Sequence, residues 1–199
     1  MTPPRRGPIK ADELLAQLAN DPEYQARIAE RDRRIEQAAA RRTAEAQPVL
    51  DDLHSAGIEI KSLWLLDWAR RPYPEALPIL FKHFRGGERS DEILGLLARL
   101  LKQPYSPELW VEFRDRYKAA PPGSQLSEGL AEALDKLAKK AHFEDLKSLI
   151  ADPANGPSRI LLLGTAVRVG RDEGRAFLAG FRDDPVLGKE ATLRSRPRK

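Results

Sequence analysis

The sequence predicts an all-α fold, on three observations. Proline recurs directly after a good helix cap, at Asp21-Pro22, Ser106-Pro107 and Asp184-Pro185, an arrangement that starts helices. Between these starts the apolar residues are spaced three and four apart rather than two. Apart from the short Ile58-Glu59-Ile60, no alternating run of β-branched residues reaches strand length.

Residues 1–20 are read as a flexible segment. From Asp21 a long polar helix runs through Tyr24, Ile28 and Ile35 to about Ala46, with Glu23/Arg27 and Glu30/Arg34 in the favourable i, i+4 order. Its apolar stripe is thin but stays in helical phase, which predicts packing against the rest of the chain or a second copy. Pro48 is expected to kink or restart the helix, and Val49, Leu50 and Leu53 then give a better core face up to Gly57. A short helix from about Ser62, carrying Leu63, Trp64, Leu66, Asp67 and Trp68, completes an N-terminal helical extension over 21–71.

A second domain, 72–194, begins where Pro-Tyr-Pro-Glu-Ala-Leu at 72–77 is echoed by Pro-Tyr-Ser-Pro-Glu-Leu at 104–109. At that offset Leu77, Leu80 and Phe84 match Trp110, Phe113 and Tyr117, one apolar face at i, i+3 and i+7. Glu144, Leu146 and Leu149 give a third copy, and Glu173, Phe177 and Phe181 a looser fourth. The helices that follow also align: Ile93, Leu96, Leu97 and Leu100 with Leu130, Ala133, Leu134 and Leu137, then with Leu162, Thr165, Ala166 and Val169. Two helices per period of roughly 30 to 37 residues predict an α-α superhelix, in which stacking supplies the core that no single unit has. A polar last helix from about Pro185 to Arg194 suits a cap, and 195–199 is a basic tail.

These residues resemble the HEAT-like and armadillo-like helical repeats. The run Ser-Glu-Gly-Leu-Ala-Glu-Ala-Leu-Asp-Lys-Leu-Ala at 127–138 is similar to the second helix of a HEAT unit, and the resemblance covers about 74–194. It implies a scaffold that binds other macromolecules, through surfaces the family does not fix in advance.

Composition and charge narrow the function classes. With 41% hydrophobic and 32% charged residues, the 199-residue chain reads as soluble and globular. Its longest apolar run, Ile160 to Val167, is closed by Arg159 and Arg168 and is far shorter than the ~20 residues of a membrane span. The absence of cysteine removes disulfides, thiolate zinc sites and thiol nucleophiles together. The basic opening MTPPRRGPIK lacks an apolar stretch behind it, so no secretory signal and a cytoplasmic address are expected. The net charge is +4, but Arg5, Arg6, Lys10, Arg194, Arg196, Arg198 and Lys199 sit in two ends without acids. The body between them is therefore slightly acidic.

Neither a cofactor nor a metal site is expected. His54, His83 and His142 fall on separate helices or helix starts without a carboxylate or second histidine at ligand spacing. Phosphate-binding loops, nucleotide fingerprints and nucleophile elbows are missing from the sequence. Two constellations stand out. Arg99, Lys136 and Arg168 share one position of the aligned second helices, and Lys102, Lys139 and Arg171 share another. Stacked helices 8 to 10 Å apart would make of them two parallel basic rows, a surface for an acidic protein segment or, secondarily, nucleic acid. Trp64, Asp67 and Trp68, with Arg70 and Arg71, resemble the aromatic and carboxylate set of HEAT-like DNA glycosylases, which implies base stacking beside an acid. The reading adopted is a non-enzymatic scaffold for protein–protein interaction, with a nucleic-acid-binding, glycosylase-like protein as the alternative.

Overall fold

The computed structural model describes residues 10–67, 73–86, 88–102 and 109–196. Among them every regular element is helical, so the all-α expectation holds. The chain divides into two compact units, one ending at Ala44 and one beginning at Glu45. That boundary differs from the expected one at 71/72, because Leu53, Leu63 and Leu66 already belong to the same buried core as the later helices.

The first unit contains α1 (Ala11–Ala19) and most of α2 (Pro22–Ser55). Residues 11–19 are thus helical, in place of the flexible segment expected over 1–20. Asp21 caps α2 as expected, its Oδ1 accepting from the backbone N–H groups of Glu23 at 2.9 Å and Tyr24 at 3.1 Å. The Glu30/Arg34 pair forms at 2.9 Å, whereas Arg27 lies over the Tyr24 ring, 6.0 Å from its centroid. Pro48 lies inside α2, so of the expected kink or restart the restart does not occur. It removes the N–H that would reach the Ala44 carbonyl, yet the buried stripe of Ala46, Val49, Leu50 and Leu53 continues past it and holds the last turns helical.

In the second unit α3 (Leu63–Asp67) lies against α5 (Asp91–Leu100), and the remaining helices pack in consecutive pairs. The pairs are α4 (Leu77–Arg85) with α5, α6 (Leu109–Ala119) with α7 (Gln125–Leu137), and α8 (Phe143–Ala151) with α9 (Leu163–Ala179). The second members also meet: α5 packs on α7, and α7 on the 3₁₀ segment Pro157–Leu162 that leads into α9. A final helix, α10 (Gly188–Arg194), packs on α9. The aligned positions Ile93, Leu96, Leu97, Leu100, Leu130, Ala133, Leu134, Leu162, Thr165 and Ala166 are all fully buried, with Leu137 nearly so. The echoed motifs at 72 and 104–108 lie outside the described residues.

Two glycines set the distance between α5 and α7. A Cβ on Gly95 would stand 2.2 Å from the Gln125 carbonyl oxygen, and one on Gly129 would stand 2.1 Å from that of Gly95. Only bare backbone fits there. Farther on, α9 is broken at Arg171, whose φ of 52° and ψ of −120° are not helical. The helical run after the break folds back on the run before it, since a Cβ on Gly174 would stand 2.1 Å from the Ala166 carbonyl oxygen.

Candidate functional site

The Trp64–Asp67 cluster is differently arranged from the glycosylase-like expectation. Leu63 and Leu66 turn into the core, which leaves Trp64 36% exposed on the outer side of α3. Trp68, Arg70 and Arg71 lie outside the described residues. Asp67 is not open to a substrate: its Oδ1 accepts from Lys102 Nζ at 2.8 Å, and its Oδ2 lies 3.9 Å from Arg99 Nε. An acid that stabilises a developing cation must face it, and this one already faces two.

The same contacts change the basic rows. The Arg99 and Lys102 side chains are only 16% and 24% exposed, held down on α5 by a carboxylate from α3, instead of standing opposite the apolar stripe. The next layer is open. Lys136 and Arg168 are 62% and 51% exposed and share Asp135, at 3.0 Å from Lys136 Nζ and 3.7 Å from Arg168 Nη2. Arg168 also donates to the backbone carbonyls of Ala138, at 3.2 Å, and Asp135. Burial works against ionisation of Asp135, but the Thr165 hydroxyl, Lys136 and Arg168 outweigh it and hold the carboxyl below its usual range. Lys139 and Arg171, the other two members of the second row, are exposed.

Around these two lie cations that the alignment of second helices did not reach. A cleft of about 590 Å³ is lined by Lys139, Lys140, Phe143, Arg168 and Arg171 among others, and Glu144 and Glu173 are also in its wall. Both acids are bound by Lys147, at 2.7 and 3.2 Å. A second cleft, of about 450 Å³, is lined by Gly164, Val167, Arg168, Arg171, Arg175 and Arg194, with no acid in its wall. Arg168 and Arg171 border both. Sequence reasoning missed Arg175 and Arg194 because one follows the break in α9 and the other comes from α10, so neither holds an aligned position.

The chain matches no family model, no curated protein and no solved structure.

Elsewhere among the described residues several polar side chains are paired within the fold. His83, read from the sequence as lacking a partner at ligand spacing, is buried and meets Asp52 from α2 at 2.8 Å through Nε2. Arg89 Nη2 approaches its Nδ1 at 2.6 Å, and because a guanidinium only donates, Nδ1 accepts and the ring proton sits on Nε2. Trp110 stacks on His142 at 4.1 Å and donates from Nε1 to Asp145 at 2.7 Å. Among the described residues no group of three or more His, Asp or Glu side chains is placed to hold a metal ion. No described helix is long and apolar enough to cross a membrane.

These pairings set an acid limit on stability. Lys82 and then His83 hold Asp52 below the usual carboxylate range, the Trp110 indole and Arg114 do so for Asp145, and the Leu187 and Val186 amides for Asp184. Burial pushes His142 the other way from a paired histidine, disfavouring its charged form. Carboxylates depressed in the folded state contribute fully above about pH 4 and lose that contribution as pH falls through their lower folded values. For His142 the unfolded chain takes up the proton first, so stability begins to decline below about pH 6.5. Urea melts between pH 8 and 3 are expected to show both declines, with His142→Gln removing the upper one. An upper decline that survives in the variant would assign it to another group.

Proposed function

We propose that this chain is a non-enzymatic helical-repeat scaffold, an α-α superhelix of HEAT-like pairs that binds an acidic segment of a protein partner in the cytoplasm. The observation that carries the reading is the exposed basic surface on consecutive second helices, Lys136 on α7 and Arg168 and Arg171 on α9, continued by Lys139 and Lys140. The paired packing of helices from Leu77 onward supports the repeat part of the reading. The expectation that the long N-terminal helix packs on a further surface belongs to the same proposal.

Acids interspersed among the cations argue for a protein segment over a nucleic-acid backbone. Asp135, Asp172, Glu173 and Glu190 stand close to the basic side chains and would oppose a uniform row of phosphates. Fluorescence anisotropy with a labelled oligoglutamate peptide and with a DNA duplex decides between them. The peptide is expected to bind, to weaken as salt rises, and to be lost by the triple variant Lys136→Glu, Arg168→Glu, Arg171→Glu. Arg99, half-buried beside Asp67, is left unchanged so that the fold survives. Unchanged affinity in the triple variant overturns the surface, and a preference for the duplex with a steep salt slope overturns the partner class.

A further inference from the structure

We propose that the cleft formed by Arg168, Arg171, Arg175 and Arg194 is a phosphoryl-binding site that receives a phosphoserine or phosphothreonine side chain of the partner. The inference rests on the scaffold reading and names what distinguishes its partner.

Four arginines line one cleft of about 450 Å³ and come from separate stretches of chain, the α9 run before the break, the run after it, and α10. Three are held by groups that do not line that cleft. Arg175 is bound by Asp172 through Nε and Nη2 at 3.2 and 2.8 Å, Arg194 by Glu190 through Nε at 2.6 Å, and Arg168 by the Ala138 and Asp135 carbonyls. Each guanidinium carries five N–H donors, so Arg175 Nη1 and both terminal nitrogens of Arg194 keep theirs. Side chains fixed at one end with donors left over suit a tetrahedral dianion with three acceptor oxygens.

Two backbone features favour a site over a chance gathering of charge. Gly164 occupies the position equivalent to Gly95, and a Cβ there would stand 2.8 Å from Arg194 Nη1, so its absence makes room for that guanidinium. Arg171 holds φ 52° and ψ −120°, a conformation that glycine takes at the first central position of a type II′ turn. An arginine at this position is strained, and it has no side-chain partner among the described residues. A residue that costs stability and bonds to nothing in the protein is accounted for by a ligand.

The wall chemistry also selects the source of the phosphoryl group. No aromatic ring lines this cleft to stack on a base, and Asp172 and Glu190 flank it, which suits one isolated dianion better than a nucleotide or a run of phosphates.

The test uses a short peptide containing one phosphoserine, its unphosphorylated form, oligoglutamate and a DNA duplex, each titrated into the full chain. The phosphopeptide is expected to bind at least about tenfold more tightly than its unphosphorylated form and to be displaced by inorganic phosphate. Arg171→Gly should weaken it about tenfold while raising the melting temperature, because glycine relieves the strain and removes the guanidinium. Gly164→Ala leaves every charge in place and should weaken binding by displacing Arg194. Oligoglutamate binding with no preference for the phosphopeptide overturns this inference and leaves the scaffold reading standing. Binding to neither peptide overturns both, and tighter binding of the duplex overturns the protein source. Arg171→Gly with undiminished phosphopeptide affinity also overturns the site.

Discussion

Gly129→Ala is expected to lower the stability of the second unit by about 3 kcal/mol or more, the upper part of the range for overpacking. The sign is informative, because alanine in place of an unhindered helical glycine stabilises by about 1 kcal/mol. At Gly129 the added Cβ would meet the Gly95 carbonyl oxygen at 2.1 Å, and both sides of that contact are backbone, so no side chain can rotate away. The helices α5 and α7 must separate, opening the layer of Leu96, Leu97, Leu130 and Leu134, all fully buried. Gly95→Ala should behave alike, from its 2.2 Å approach to Gln125. The double variant should cost less than the two together, since one separation of the helices serves both. Gly180→Ala, whose Cβ meets nothing nearer than 3.5 Å, is the control and should be near neutral. Thermal melts check all four, with a loss of roughly 6 to 12 °C expected for either single clash.

Arg159→Ala should cost about 3 to 5 kcal/mol, as breaking a buried charged network does. The side chain is 4% exposed and donates from Nε to the Gly156 carbonyl and from Nη1 to the Ile150 carbonyl, both at 2.9 Å, with Asp184 at 3.6 Å. Removing it leaves two carbonyls without these donors at the junction of α8 with the segment entering α9. Arg159→Met restores the stem's packing and should recover only part of the loss, because the carbonyls remain unpaired. Asp184→Asn should cost much less, as an amide oxygen can still accept from Val186 and Leu187 at the 2.8 Å bonds Asp184 now makes. Equal losses for Arg159→Met and Arg159→Ala would place the energy in the hydrogen bonds alone, and full recovery in Arg159→Met would place it in packing. Urea melts of the three variants decide this.

Much of the fold was legible in short-range pattern. The spacing of Ile93, Leu96, Leu97 and Leu100, and of its two aligned counterparts, marks one face of a helix, and all but Val169 of these positions are buried in the structure. Asp21 acts as the cap that the Asp-Pro pair predicts. These are properties of i, i+3 and i+4 within a single helix, which a sequence displays directly. The uninterrupted helix through Pro48 was not legible, because its continuation depends on the buried face that follows.

The candidate site was legible in half. Lys136, Lys139, Arg168 and Arg171 lie on exposed positions, as the alignment requires, while Arg99 and Lys102 have the same spacing and are engaged by Asp67. Periodicity places a cation on a helix face but says nothing of the acid that another element brings to it, here from 32 and 35 residues away. By itself, then, the sequence determined the all-α class, the helix start at Asp21 and the apolar faces, since each is decided within a few residues along the chain. Only the tertiary structure decided which charges stay free, that Arg194 joins the arginines of α9, that α5 and α7 meet at bare glycine, and that Arg171 is strained. Each of these depends on the distance between helices far apart in sequence, which is set when their faces pack and by nothing local.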